Sequence, residues 1–249
     1  MRTPLGLSLV VGLVLAGASR GDDQAEAKAL VDKAIKALGG EEKLAKCKVF
    51  TTKGKGTIYQ PGEFAMTEET SWQPPGQYRA DMEINADNAK LKLVYVFNGD
   101  KGWIKTGERT AEMSKEIRAG FTDYFYALRL GINPVELKAE GVKLSPLGEV
   151  KIGERPAVGV QVTRKAHKDV NLYFDKETGL PAKAEITTRN VFEDGEVLHE
   201  FIFSEFKEFD GIKVYTKLLW NKDGKKYMER ELAEFKVVDK LEDGLFGKP

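Results

Sequence analysis

Two histidines, one cysteine and 39 carboxylates are the side chains of this 249-residue chain with the widest catalytic and ligating repertoire. His167 follows Arg164-Lys165 in a polar turn, and His199 lies in a strand between Glu196 and Glu200. A nucleophile and base pair such as Ser204 with His199 requires a third, orienting group and an oxyanion site, and no Gly-x-Ser-x-Gly elbow occurs to supply them. No spacing of His, Cys and carboxylate matches a zinc site, and no glycine-rich phosphate loop follows a strand. Cys47 has no partner for an internal disulfide and reads as a small buried apolar residue rather than a reactive thiol. The expectation is a non-enzyme with no catalytic residue, metal ligand or cofactor, and an uncharacterised hydrolase is the third alternative.

Aromatic side chains carry more information. Trp72, Tyr78, Tyr95, Phe97, Trp103, Phe121, Phe125, Phe174, Phe201, Phe203 and Trp220 are numerous for a chain with 31% charged residues. One reading is ordinary core packing. The other is an incompletely filled interior, because apolar cavities with a few polar groups bind lipid-like molecules.

The elements that position these residues alternate between turn signals and apolar runs. Trp72 leads into the turn Pro74-Pro75-Gly76, Tyr78-Arg79 opens a strand, and Leu91, Leu93, Tyr95 and Phe97 alternate up to Asn98-Gly99-Asp100, with Gly102-Trp103 beyond. An Asn-Gly pair between alternating apolar runs predicts a type I′ hairpin. Turn signals at Pro61-Gly62, Pro75-Gly76, Asp87-Asn88 and Asn98-Gly99, resumed at Gly153-Glu154, Lys176 to Gly179, Asp194-Gly195, Asp210-Gly211 and Asp223-Gly224, set the rhythm of an antiparallel meander. Val158, Val160 and Val162, then Val170, Leu172 and Phe174, then Ile212, Val214, Leu218 and Trp220, with Thr216 as a polar exception, give single apolar faces. A long sheet of this kind has to curl around a core or a cavity. Gly54 and Gly56 on one strand predict strong curvature or a helix packed close.

Two amphipathic helices are expected. Ala27, Leu30, Val31, Ala34, Ile35 and Leu38 recur at helical spacing over 24–38, with Asp22-Asp23 as cap and Gly39-Gly40 as stop. Met113, Ile117, Phe121, Tyr124, Phe125 and Leu128 do the same over 111–130, ended by Gly131 and Pro134.

Arg2, an apolar run of 12 residues from Leu5 to Ala16 and the small residues that follow read as a secretory signal over 1–21, cleaved after Ala18 or Gly21. That run falls short of the ~20 residues a spanning helix requires. Without the leader, which holds Arg2 and Arg20, 37 bases face 39 acids. Such a balance does not attract a polyanion, so nucleic acid is excluded as a partner. No composition break divides residues 22–249, which read as a single domain, and a monomer is expected.

Pro75-Gly76-Gln77-Tyr78-Arg79, with Phe97-Asn98-Gly99-Asp100-Lys101-Gly102-Trp103 further on, resembles the LolA-like outer-membrane lipoprotein-sorting family. Ala80 stands where that pattern has a further aromatic. Tyr173-Phe174-Asp175-Lys176-Glu177-Thr178-Gly179-Leu180-Pro181 is similar to the family's second recurring segment. The fold read here is mainly β (α+β), an open, strongly curved antiparallel half-barrel whose concave face is covered by the helices at 24–38 and 111–130. The resemblance implies non-catalytic binding or carriage of acyl chains of lipids or lipoproteins in a bacterial periplasm or other extracytoplasmic space, with envelope membrane proteins as further candidate partners. It also implies that Arg79 joins the sheet to its helical lid, against the alternative of an exposed charge. The candidate cavity and lid residues are Trp72, Tyr78, Arg79, Tyr95, Phe97, Trp103, Met113, Ile117, Phe121, Phe125, Leu128, Phe174 and Trp220. An envelope sensor or protein-interaction domain on the same fold is the second alternative.

The leader gives a direct test: N-terminal sequencing of the mature protein from the soluble envelope fraction should begin near Ser19 or Asp22. Recovery of intact Met1 in the cytosol would contradict it.

Overall fold

The computed structural model describes residues 19–74, 76–86, 89–190 and 195–249. The leader up to Ala18, Pro75, the turn at Asp87-Asn88 and Asp194 lie outside the described residues. Helix α1 (Ser19–Leu38) and the short α2 (Glu41–Lys46) precede six strands: β1 (Phe50–Ile58), β2 (Phe64–Gln73), β3 (Gln77–Ala86), β4 (Ala89–Asn98), β5 (Lys101–Thr106) and β6 (Arg109–Glu112). Helix α3 (Lys115–Leu130) and a 3-10 turn at Pro134–Lys138 separate these from β7 (Val142–Ile152), β8 (Arg155–Arg164), β9 (Val170–Asp175), β10 (Pro181–Arg189), β11 (Glu196–Phe209), β12 (Ile212–Lys222) and β13 (Lys225–Val237).

All thirteen strands form one sheet in the order β6-β5-β4-β3-β2-β1-β13-β12-β11-β10-β9-β8-β7. Each half of the chain is a meander, and the first and last strands pair antiparallel from Phe50 opposite Val237 to Ile58 opposite Met228. The sheet stays open between its edge strands β6 and β7, the curved half-barrel expected from its single apolar face. That face, including Val160, Val162, Val170, Leu172, Ile212, Val214, Leu218 and Trp220, is buried in one continuous cluster with the apolar stripes of α1 and α3. Thr216 is buried as well, its hydroxyl donating to the Glu205 carbonyl.

Several boundaries differ from the expectation. Helix α1 begins at Ser19, so Asp22 lies in its first turn, where a carboxylate favours the positive end of the helix dipole, instead of capping it. Helix α3 begins four residues later than periodicity placed it: Ser114 caps it by accepting from the Ile117 amide at 3.2 Å, and the residues before it pair as β6 with β5. Met113 therefore sits before the helix, its amide bonded to the Gly102 carbonyl at 2.8 Å. At Gly54 and Gly56 the close neighbour is strand β13 and not a helix. A Cβ at these positions would lie 2.8 Å from the Glu231 carbonyl oxygen and 2.0 Å from that of Glu229, beside a register shift at Lys53/Gly54. Of the two readings kept for these glycines, curvature holds.

The hairpin chemistry also resolves. Asp210-Gly211 and Asp223-Gly224 each place both turn residues at positive φ, the type I′ pattern. Between β4 and β5 the paired ends are Asn98 and Lys101, so the turn residues are Gly99 and Asp100, and of these only Gly99 (φ 62°) is left-handed. This is the type II′ arrangement, and it corrects the type I′ expectation.

Open space surrounds Gly99, so a side chain there meets only backbone strain. Gly99→Val should lower stability by roughly 1–3 kcal/mol in denaturant unfolding. An unchanged midpoint would remove the left-handed assignment.

Candidate functional site

Helix α3 is fastened to the inner face of the sheet by a ladder of rings spaced three and four residues apart. Phe121 meets Tyr95 and Phe97 with centroids 5.4 and 5.5 Å apart. Phe125 meets Tyr78 at 4.0 Å and Trp72 at 5.5 Å. Tyr124 turns toward the other half of the sheet and meets Trp220 at 5.2 Å. Rings in offset or edge-on contact add about 0.5–1.5 kcal/mol per pair beyond the area they bury, so this ladder fixes where the helix lies.

Beside the ladder the interior is unfilled. A cavity of about 430 Å³ is enclosed by Tyr78, Met82, Ile84, Leu91, Leu93, Tyr95 and Ile104 on β3 to β5, by Phe121, Tyr124, Phe125 and Leu128 on α3, and by Val197, His199, Trp220, Tyr227 and Met228 on β11 to β13. Ile58, Phe64 and the Gln60-Pro61 turn also line it, as do Glu68, Arg189 and Lys222. A second cavity of about 230 Å³ shares Tyr78 and Phe125 with it and adds Trp72, Phe97, Lys48, Gln73, Arg129 and His167. Tyr78 and Phe125 thus form the partition between the two.

Among the described residues of the wall, Glu68 is paired, and His199 and the tyrosines are held neutral. Glu68 is bonded to Arg230 at 2.5 Å. Burial works against the Arg230 charge, but the Glu68 carboxylate outweighs it and keeps the guanidinium firmly protonated. His199 Nδ1 accepts from the Trp220 indole N–H at 3.0 Å. An indole only donates, so the imidazole proton lies on Nε2, which donates to the Thr188 hydroxyl at 3.1 Å. Burial, aided by Lys222, pushes the His199 pKa down to about 4. Burial also raises Tyr95 to about 12 and carries Tyr78 and Tyr124 well above their ordinary value, so the phenols remain neutral.

Of the thirteen side chains named from the sequence, Tyr78, Tyr95, Phe121, Phe125, Leu128 and Trp220 line the large cavity, and Trp72 and Phe97 the small one. Five lie elsewhere. Arg79 does not reach α3: its Nε and Nη2 bond Asp81 at 2.6 and 2.7 Å, and its Nη1 bonds the Leu245 carbonyl at 3.1 Å. Strand alternation sends Tyr78 inward and therefore Arg79 outward, where it holds the C-terminal segment. Trp103 stands opposite Val96 on that same outer side. Val96 and Phe246 are buried although neither belongs to the inner core. Met113 is buried beside Gly102, Ile117 packs against the core rim, and Phe174, 1% exposed, sits in the packed part of the core. Tyr124, Glu68, His199 and Tyr227 are lining residues absent from the sequence list. The inward parity of Met66, Glu68 and Thr70 was the available signal for Glu68.

A hydrolytic pair of Ser204 and His199 is not assembled. The two residues are five apart on one strand and so on opposite faces, His199 buried and Ser204 exposed. Cys47 is buried, and desolvation pushes its thiol up to about 12. Among the described residues no group of three or more His, Cys, Asp or Glu could hold a metal ion, and no helix is long and apolar enough to cross a membrane.

No family model matches the sequence. No curated protein matches it either. Solved structures do match. A LolA superfamily protein from Nitrosomonas europaea superposes with TM-score 0.55 at 12% identity, over 89% of this chain and 97% of that one. A DUF1329 family protein from Desulfovibrio piger gives 0.55 at 15% identity, over 88% and 96%. A protein described as an outer membrane lipoprotein-sorting domain, from Vibrio parahaemolyticus, gives 0.52 at 12% identity, over 88% and 97%. The fold is therefore LolA-like.

His199 makes stability depend on pH. Its folded pKa of about 4 lies below the ordinary 6.5, so the unfolded chain takes up the proton first. The contribution is complete above about pH 6.5 and falls as pH drops toward 4, by on the order of 3 kcal/mol at most. His199→Gln, which can still accept from Trp220, should flatten the difference between unfolding curves at pH 7 and pH 4.5. An equal difference in parent and variant would contradict the assignment.

Proposed function

We propose that this protein binds acyl chains of lipids or lipoproteins, without catalysis, in an extracytoplasmic compartment of a bacterium. The observation that carries the reading is the cavity of about 430 Å³ held open between α3 and the inner face of the sheet. Its volume falls within the range of about 300–1,000 Å³ over which proteins enclose small ligands. Aliphatic side chains of β3 to β5 and the aromatic ladder make most of its wall, and an acyl chain gains by leaving water for such a surface at about 0.8 kcal/mol per methylene. The LolA-like fold supports the same reading, as does the name of the Vibrio parahaemolyticus relative, which refers to sorting of outer membrane lipoproteins. The secretory leader read from the sequence supports the compartment. Envelope proteins that deliver or receive the lipid are the macromolecular partners this reading calls for.

Arg79 has no part in retention on this account, because its bonds hold the outer face. The residue to change is Leu128, half-buried on α3 and on the cavity wall. Leu128→Trp should occupy the cavity and abolish uptake of a fluorescent fatty-acid probe by delipidated protein, with a melting temperature within a few degrees of the parent. A folded parent that binds no probe would end the acyl-binding reading and return the fold to a role in protein interaction.

A further inference from the structure

Four tyrosines from four elements line the large cavity: Tyr78 on β3, Tyr95 on β4, Tyr124 on α3 and Tyr227 on β13. Tyr78 and Tyr124 are buried, and Tyr95 and Tyr227 half-buried. A buried phenol ordinarily finds a hydrogen-bond partner. Tyr59 and Tyr173, which do not line this cavity, have theirs in Glu229 at 2.7 Å and Glu185 at 3.1 Å. Among the described residues the four cavity hydroxyls have none. Their rings are held in place: Tyr78 against Phe125 at 4.0 Å, Tyr95 against Phe121 at 5.4 Å, and Tyr124 and Tyr227 against Trp220 at 5.2 and 4.8 Å. The Tyr124 phenol interacts electrostatically with those of Tyr78, Tyr95 and Tyr227, so the four hydroxyls share one region of the wall.

A buried hydroxyl left unpaired opposes folding, and each such group in a native structure calls for an explanation. A ligand that supplies the missing acceptor is one. Burial raises all four phenols above their ordinary pKa, so each is an uncharged donor. A carboxylate brought among them would leave its water for donors that carry no charge, a cost that an ester or amide carbonyl does not bear.

We propose that the cavity recognises an acyl chain through an uncharged carbonyl, which accepts from the phenols of Tyr78, Tyr95, Tyr124 and Tyr227 while the chain lies along the aliphatic wall of β3 to β5. This rests on the acyl-binding reading and adds the chemical class of the lipid: an acyl ester or amide, recognised by its linkage and not by a charged head.

The test is displacement of the uncharged dye Nile red from delipidated protein by methyl laurate, N-methyl lauramide, laurate and tetradecane, each below its aggregation concentration. These lengths suit the space, since a methylene fills roughly the volume of a water, ~30 Å³, and the cavity holds on the order of 14 chain atoms. The ester or the amide should displace the dye about tenfold more tightly than tetradecane, as one or two neutral hydrogen bonds allow. Preference for one of the two carbonyl compounds identifies the linkage. Tyr78→Phe, Tyr95→Phe, Tyr124→Phe and Tyr227→Phe, made singly and together, remove only hydroxyls. The combined variant should bring the ratio of carbonyl compound to hydrocarbon close to one, with no loss of melting temperature, because no bond within the protein is broken. The single variants identify the phenols that carry the ratio. Equal affinity for ester, amide and tetradecane, a ratio unchanged in the combined variant, or tighter displacement by laurate than by its methyl ester would overturn the carbonyl assignment while leaving acyl binding in place. Failure of all four compounds to displace the dye would overturn acyl binding itself.

Discussion

Thirteen strands form a sheet wider than helix α3 can cover. At about 4.8 Å between neighbours, the sheet is roughly 58 Å across in the hydrogen-bonding direction. Helix α3, with 16 residues, is about 24 Å long. One face of the sheet is apolar and has to leave water, so the sheet curls and the helix lies within the curl. The fit is good only where long rings bridge the gap, at Phe121, Tyr124 and Phe125. Between those rings and β3 to β5 there is apolar surface without apolar filling. Elsewhere the same sheet is packed solid: Val170, Leu172 and Phe174 of β9 are almost fully buried.

The polar groups admitted to this interior are arranged so that it stays electrically quiet. Glu68 and Arg230 come from strands 162 residues apart in the chain and neutralise each other. A buried pair of this kind often contributes no more to stability than apolar residues of similar size, and losing one member costs about 3–5 kcal/mol. The pair therefore fits a role in shaping the wall better than a role in holding the fold. His199 is treated differently: two directional bonds, to Trp220 and Thr188, keep it neutral and fix the indole that forms part of the cavity wall. Arg189 and Lys222 stand at the ends of β10 and β12, on the margin of the cavity.

Much of the architecture was legible because β-hairpins announce themselves locally. Asp210-Gly211 and Asp223-Gly224 specify type I′ turns through two residues that tolerate positive φ, and the helical stripe from Ala27 to Leu38 ends at two glycines with φ of 127° and 94°. What periodicity misread was the start of α3, where Met113 fits the helical spacing but belongs to the end of the β5–β6 hairpin, and Ser114 supplies the cap. The site was less legible for a geometric reason. Apolar or aromatic character does not say which face of a strand a residue occupies, and Trp103 and Arg79 were grouped with the inner residues although Ile104 and Tyr78, their neighbours, take the inward positions. Applying the period of two to those strands would have separated them. The Glu68–Arg230 pair had no comparable signal beyond parity, because its two halves meet only through the closure of β1 on β2 and β13.

The central claim is that the space beneath α3 exists to be occupied. Native mass spectrometry of the protein purified in mild conditions from its own envelope measures that occupancy directly. The account predicts a noncovalent adduct with the mass of a lipid, which is lost on collisional activation and absent from Leu128→Trp. A bare protein mass from the parent, together with no uptake when lipid extract is added back, would contradict it.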